Sequence, residues 1–476
     1  MNPMNTLYII LLPLILFAGA IIVILLDAFL TDSARKSYGF TILVLLAALL
    51  TAPFLWAHQG SAFDGMIVLD SFSLVASFLF CLAGFITLLL LHDSPLSTAP
   101  FHCLLLLTLV GMILLVSGTN FLVLFIGLEI LSLSVYVLAA FAKRDPLSAE
   151  SGMKYFLLGS FASAFFLYGV AFIYGATGSI QLNMVAEAIA KPDFANRTYL
   201  YLGLIFLLVG YGFKISLAPF HMWTPDVYEG APTPVTAFMA ATVKAAALAS
   251  LIRVFLVAFS SETVSQFWIP IIWILAIVTM IVGNLSAIWQ NNLKRLLAYS
   301  SIAHAGYMLL GLLAAPDQAQ QSIMYYFAAY IFMNLGAFAV VAYLEQSAGI
   351  LNVDQYQSLA YTRPVLAICM MLFLVSLGGL PPTAGFFGKF YLFRAVLQQG
   401  HVWAVVFAVL NSAISFYYYL RIVIAMFTPE KEAAVVPVSR IALPLIVTLI
   451  LTVWGTISLG LFPGFFLELA RAVSLL

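Results

Sequence analysis

Apolar runs of roughly twenty residues recur along the whole chain, separated by short polar connections. A helix needs about that length to cross the ~30 Å hydrocarbon core of a bilayer, whereas a barrel strand needs only about ten residues. Helices also satisfy their own backbone hydrogen bonds in lipid. The pattern therefore predicts an all-α integral membrane protein of about fourteen transmembrane helices. The first seven spans are 7–29, 38–57, 71–91, 101–118, 119–141, 151–175 and 199–221. The other seven are 234–259, 268–290, 294–314, 320–345, 364–398, 401–427 and 440–465. The first run, from Leu7 to Phe29, has neither a basic leader nor a small-residue cleavage site, so it reads as a retained helix.

The basic residues orient this array. Counting from the first span, the odd-numbered connections hold Arg35, Lys36, Lys143, Arg144, Lys294, Arg295, Arg363, Arg421, Lys431 and Arg440. The even-numbered ones hold Lys191, Arg197 and Arg394. Cytoplasmic connections carry the excess of Lys and Arg, so both termini are expected on the non-cytoplasmic side.

One stretch interrupts the regular pattern: Tyr211-Gly-Phe-Lys-Ile-Ser-Leu-Ala-Pro-Phe-His-Met-Trp-Thr-Pro-Asp226, followed by Val-Tyr-Glu-Gly-Ala-Pro-Thr-Pro-Val235. Lys214 stands inside an apolar run, and Pro219 removes a backbone donor and crowds the preceding turn, which breaks a helix. Unwound backbone at membrane depth is tolerated only where it is buried in protein or lines a watery cavity. Lys214, the break and His221 together predict a proton or ion site.

The chain also echoes itself. Met153-Lys154-Tyr155-Phe156 returns as Met324-Tyr325-Tyr326-Phe327 after 171 positions, and the same offset carries Tyr136 onto Tyr307. Pro219 corresponds to Pro381, in a second interruption, Leu380-Pro-Pro-Thr-Ala-Gly-Phe-Phe-Gly-Lys389, and Lys214 then aligns with Ser376. These matches divide the chain into an N-terminal three-helix segment (1–100) and a first five-helix repeat (101–260). A second five-helix repeat (261–427) and a C-terminal loop and helix (428–476) follow. Five is odd, so the two repeats must be inverted in the membrane, with helices 7 and 12 broken. Inverted repeats with broken helices at mid-membrane build ion and solute pathways.

Composition sharpens this picture. The chain is 64% hydrophobic and 8% charged with a net charge of zero, which gives no field to attract nucleic acid. Cys81, Cys103 and Cys369 form no CxxC pair and read as free thiols; nothing resembles a haem, iron–sulfur or nucleotide site. Against this background, Glu129, Lys154, Lys214, Lys244 and Lys389 fall inside predicted spans. Each costs about 2.5–3.5 kcal/mol on insertion scales, so each calls for a partner or a hydrated cavity. One such group could be a packing ion pair; five on two inverted units predict a relay. Burial disfavours an ammonium and a nearby carboxylate restores it, so the Glu129–Lys214 separation would decide whether the lysine holds a proton. Arginine cannot play this part because it stays charged. Arg253, near the end of its span, is expected to snorkel outward.

His304 lies ten residues beyond Lys294, about 15 Å along a helix. A proton shuttle or a neutral hydrogen-bonded side chain would each explain it. His58, His92, His102 and His401 fall near span ends, as do Asp27 and Glu345. Asp226 and Glu229 read equally as capping or loop groups.

Three motifs carry a resemblance: Phe213 to Val235, Asn292-Leu-Lys-Arg-Leu-Leu-Ala-Tyr-Ser-Ser-Ile-Ala-His-Ala-Gly306, and Gly378-Gly-Leu-Pro-Pro-Thr-Ala-Gly-Phe-Phe-Gly-Lys389. Nearly the whole chain resembles the antiporter-like membrane subunits of NADH-quinone oxidoreductase, respiratory complex I. The Thr-Pro-Asp-Val-Tyr-Glu-Gly wording and the fourteen-span length are most similar to the subunit N branch. The resemblance implies that Glu129 and Lys214 are the carboxylate–lysine pair of helices 5 and 7. It makes Lys244 the connecting lysine, His304 the central histidine and Lys389 the exit-side lysine, with Lys154 a further relay group. It implies proton transport driven by quinone reduction in partner subunits that carry FMN and iron–sulfur clusters. This chain would then hold no cofactor or metal of its own. Its partners would be other membrane-arm subunits and lipid in a bacterial inner membrane. A subunit of a multi-subunit cation/proton antiporter is the alternative, and a scaffold whose buried charges only join helices is a third reading.

Overall fold

The computed structural model describes residues 3–30, 33–92, 94–191, 194–429 and 441–475. Lys431 and Arg440, used above to orient the chain, lie outside the described residues. The chain is a multi-pass helical membrane protein. Helices α1 (Pro3–Phe29), α2 (Ser33–Phe54) and α3 (Ser71–Leu90) come first, with a short hairpin of β1 (Gly60–Ala62) and β2 (Ile67–Leu69) between the last two. Next are α4 (Ala99–Ser117), α5 (Phe121–Ala139), α6 (Pro146–Thr177), the short α7 (Leu182–Ile189) and α8 (Arg197–Ile215). Helix α9 (Trp223–Gly230), α10 (Thr233–Phe238) and α11 (Lys244–Ala258) complete the first half. The second half holds α12 (Glu262–Ile288), α13 (Leu293–Leu309), α14 (Pro316–Ala348), a single turn α15 (Leu359–Thr362) and the pair α16 (Pro364–Gly378) and α17 (Ala384–Gln398). Helices α18 (Val402–Phe427), α19 (Leu443–Leu461) and α20 (Pro463–Arg471) follow.

Among the described residues, thirteen helices are long and apolar enough to cross a bilayer, and the shorter apolar helix α16, with α17 after it, stands where the broken twelfth span is expected. The strands, α7 and α20 are absent from the sequence reading because each is too short to leave a periodic signal. Span seven also ends sooner than expected. Helix α8 stops at Ile215, Ser216 caps it in the left-handed region (φ 67°), and α9 starts only at Trp223, in what the sequence presents as a Pro/Gly-rich connection.

Both breaks have the same construction. Helices α8 and α16 end on left-handed residues, Ser216 and Gly379, and each is followed by a cis X-Pro bond, Ala218–Pro219 and Pro381–Pro382. These features are 163 positions apart, so Pro219 matches Pro382 rather than Pro381, and Lys214 matches Leu377 rather than Ser376. Gly111 of α4 packs on the backbone of Gly127 and Leu131 in α5, as Gly283 of α12 packs on that of Tyr299 and Ala303 in α13, 172 positions later. The offset differs by one from that of the tyrosine pair, so the units agree in architecture and not residue for residue.

The core sits where the halves meet. The most apolar windows of α13, the α10–α11 span and α14 are 94%, 89% and 83% buried, against 33% for α1, α6 and α18. Three nearly enclosed helices therefore form an axis, and the lipid-side helices present large side chains such as Leu50, Phe161 and Ile424 outward.

Candidate functional site

Lys244 and His304 lie on these enclosed helices, and Lys214 and Lys389 on α8 and α17. Lys214, Lys244 and Lys389 are 2%, 1% and 5% exposed, and His304 is 1% exposed. The lysines sit near local irregularities. Lys214 is in the last turn of α8, two residues before the left-handed cap. Lys244 follows a π turn at Met239–Val243; such wide turns are rare and concentrate at functional sites. Lys389 belongs to α17, just past the second break.

Aromatic rings and hydroxyls surround the ammonium groups. Lys214 Nζ donates to the Tyr155 hydroxyl at 3.3 Å and stands 4.9 and 5.1 Å from the centres of the Tyr155 and Tyr136 rings. Lys244 Nζ donates to Ser301 Oγ at 2.6 Å and lies 5.1 Å from the Tyr228 ring. Lys389 Nζ donates to the carbonyls of Leu377 and Gly378 at 3.1 and 2.8 Å and to Ser412 Oγ at 2.8 Å, 4.9 Å from the Tyr307 ring. Those carbonyls are the unsatisfied end of α16, where helix geometry favours a cation. Ring faces attract an ammonium most when water is excluded, so the site holds a lysine without fixing it in a salt bridge.

Glu129 is half-buried and lies within Coulombic reach of Lys214, yet no ion pair joins them. Among the described residues its Oε1 is buried without a protein partner, as are the hydroxyls of Tyr228 and Tyr330 and the Nδ1 of His221. Buried polar atoms are satisfied by protein or ordered water, so each of these groups calls for water. His221 sits in the break between α8 and α9. Trp223 closes that break, stacking on Tyr155 at 4.1 Å and donating its indole N–H to the Phe213 carbonyl.

Helix α13 carries a further cluster of hydrogen bonds. His304 shares its ring nitrogens with the hydroxyls of Tyr326 (2.8 Å) and Tyr419 (3.3 Å), and Tyr419 meets Ser300. Three residues beyond His304, the Tyr307 hydroxyl accepts from Asn284, which also accepts from Tyr418.

Some residues stand elsewhere than expected. Lys154 is not buried: its side chain is 40% exposed, paired with Glu150 and Asp226 at 2.7 Å each, because α6 lies at the rim of the bundle. Arg253 does not snorkel. It and Asp70 are both 0% exposed, joined by two hydrogen bonds of 2.7 and 2.9 Å, with Arg253 Nε on the Val116 carbonyl. Asp70 also caps α3 through the Ser73 amide, so this pair locks α11 to the start of α3. His102 is enclosed too, between Ser97 and Ser37.

The polar end of α13 carries charges that the sequence presents as ordinary loop groups. Arg295 bridges Asp226 (2.7 Å) and Glu229 (2.9 Å) of α9. Lys294 is buried, donates to the Ala231 carbonyl at 2.9 Å and pairs with Glu345, which also accepts from Thr233. Burial works against the charged form of Asp226, but hydrogen bonds from Lys154 and Arg295 hold its carboxyl below the ordinary range. Their only sequence signal is the alternation of acids on 226 and 229 with bases on 294 and 295. The three cysteines are free.

Comparison with known proteins places the chain in a family. Residues 118–415 match the family described as NADH:quinone oxidoreductase/Mrp antiporter, transmembrane region. NADH-quinone oxidoreductase subunit N of Trichlorobacter lovleyi is 42% identical over 92% of this chain and 91% of its own length. Its counterpart in Chloroflexus aggregans is 40% identical over 95% and 94%. A chain of respiratory complex I from Thermus thermophilus superposes with TM-score 0.84 at 36% identity, covering 97% of this chain and all of its own. A chain of the Mrp complex from Dietzia has TM-score 0.86 at 20% identity, covering 99% of this chain and 97% of its own, a likeness of fold alone. On the extent of the family match and of these alignments, the chain belongs to the transmembrane NADH:quinone oxidoreductase/Mrp antiporter family, among its subunit N proteins.

Proposed function

We propose that this chain is a proton-translocating subunit of the membrane arm of NADH-quinone oxidoreductase. The observation that carries the proposal is the set of enclosed titratable groups, Lys214, Lys244, His304 and Lys389, held by hydroxyls, rings and carbonyls. An ammonium held this way can give up its proton without abandoning a counter-ion in the bilayer. Glu129, close to Lys214 but unpaired with it, acts as the electrostatic control: drawing nearer it favours the charged lysine, and moving away favours release. His221 in the break and Lys154 at the rim extend the relay toward the aqueous faces. FMN, iron–sulfur clusters and quinone belong to partner subunits, and this chain binds none of them. It works in the bacterial inner membrane with both termini on the non-cytoplasmic side. Its relay spans two inverted units, 101–260 and 261–427, flanked by segments 1–100 and 428–476.

Gentle-detergent purification of the tagged chain tests this reading. Co-purification with flavin and iron–sulfur subunits and NADH:quinone activity is the expected result. Co-purification with hydrophobic subunits alone, with sodium-dependent proton exchange and no NADH activity, would replace it with the cation antiporter.

A further inference from the structure

We propose that Tyr326 and Tyr419 pass protons to and from the two ring nitrogens of His304, so that the imidazole works as a through-ring relay. This rests on the proton-translocating reading and adds two residues to it.

A tyrosine hydroxyl faces each nitrogen of the ring. Nδ1 lies 2.8 Å from the Tyr326 hydroxyl and Nε2 lies 3.3 Å from that of Tyr419. A carbonyl or carboxylate on one nitrogen would hold a proton there and fix one tautomer. A hydroxyl both donates and accepts, so each His304 nitrogen can carry the proton or take one. Neither side of the ring is committed.

The Tyr419 hydroxyl leads on from the imidazole to a further hydroxyl, and the Tyr326 ring lies against Gly388 of α17, next to Lys389. Tyr419 meets Ser300 Oγ at 2.5 Å, and the following residue, Ser301, accepts from Lys244. In the first unit Tyr155, the counterpart of Tyr326 at the 171-residue offset, accepts from Lys214. Equivalent tyrosines thus touch a titratable group in each unit.

The step balances without any charged tyrosine. A proton reaching the Tyr326 oxygen displaces that hydroxyl's own proton onto Nδ1. Nε2 gives its proton to the Tyr419 oxygen, whose own proton moves to Ser300 Oγ, and Ser300 passes its own hydroxyl proton to water. Each oxygen gains one O–H bond as it loses another, and nothing is oxidised. Hydroxyl rotation and return to the starting tautomer reset the chain.

The test uses the intact complex in sealed vesicles, with proton uptake normalised to NADH oxidation by an artificial acceptor. Tyr326→Phe and Tyr419→Phe each remove only an oxygen and leave the rings in place. Each should lower proton uptake about tenfold, and so should His304→Gln. Adding either substitution to His304→Gln should cause no further fall, because groups acting in series are not additive. Parental uptake in either Phe variant, or an additive further fall in the double variants, overturns the proposal. Lys214→Ala separates the two levels: if it alone abolishes uptake, the relay stands and the tyrosine step falls, whereas if it too is silent the relay itself is wrong. Should a Phe variant fail to assemble, fluorotyrosine at position 419 keeps the shape and acidifies the hydroxyl. A pH profile of proton uptake that does not move would then overturn the step.

Discussion

The Lys389 ammonium stands 4.9 Å from the centre of the Tyr307 ring, as the Lys214 ammonium stands 5.1 Å from that of Tyr136. The lysines are not sequence counterparts: Lys214 precedes its break and Lys389 follows its own. Lys389 reaches back to the carbonyls that end α16, so both charges finish at the C-terminal end of a half-helix over matching tyrosines. The architecture conserves the place of the ammonium rather than the position of the residue.

A direct prediction follows for charge without titration. Lys214→Arg and Lys389→Arg keep the positive charge but remove the ability to release a proton. Both should assemble, retain NADH oxidation by an artificial acceptor and lose proton uptake about tenfold or more. Arginine variants that pump normally would show that these sites need only a fixed charge. Vesicle proton uptake alongside acceptor activity makes the measurement.

The Asp70–Arg253 pair predicts a different phenotype. Both groups are fully enclosed and held by two hydrogen bonds. Removing one partner of a buried pair typically costs about 3–5 kcal/mol because the other charge is stranded. Asp70→Asn should therefore deplete the assembled complex, while whatever does assemble pumps with the parental proton-to-electron ratio. Replacing both groups with apolar residues of similar volume should recover assembly. Native gels followed by pumping assays on the surviving fraction separate this from a relay defect.

These two phenotypes show what the sequence makes legible. Spans and breaks are visible because a bilayer demands long apolar runs and a proline or lysine within one stands out. Lys214, Lys244, His304 and Lys389 are recognisable for the same reason. Contact partners across distant helices are not. Nothing local says that Arg253 turns inward to Asp70, 183 positions away, or that Arg295 reaches Asp226. Lys154 misleads in the opposite sense, because an apolar run does not say which face of its helix meets the bundle. The π turn before Lys244 is likewise silent, since Met-Ala-Ala-Thr-Val suits an ordinary helix equally well.

The paired acids of α9 give a prediction about pH. The Asp226 carboxyl is held below its ordinary range, since hydrogen bonds from Lys154 and Arg295 outweigh the opposing effect of burial. A depressed carboxylate stabilises the fold above its unfolded pKa, about 3.9, and that contribution disappears as pH falls through the folded value. Acid should therefore loosen α9, and mild alkali should not. Asp226→Asn imitates the acid form at neutral pH. It should speed amide hydrogen exchange across Trp223–Gly230 by roughly fivefold, in line with half-exposed ion pairs worth about 1 kcal/mol. Exchange indistinguishable from the parent would mean that α9 is held by its packing alone.

The last prediction concerns how the second break is closed. Gly385 lies in the first turn of α17, and its amide donates to Ser376 Oγ at 3.1 Å. A Cβ there would come within 1.8 Å of the Ser376 carbonyl oxygen. That oxygen belongs to the backbone, so no side-chain rotation relieves the clash and α16 and α17 must separate. Lys389 depends on that closeness, because its ammonium is held by the neighbouring carbonyls of Leu377 and Gly378. Gly385→Ala should therefore impair proton uptake as strongly as loss of Lys389 while leaving every titratable group in place. Gly175→Ala, where an added Cβ meets nothing, is the matched control and should pump like the parent. Normal pumping by Gly385→Ala would show that the lysine does not need those carbonyls, and that the break is a packing device with no part in holding the charge.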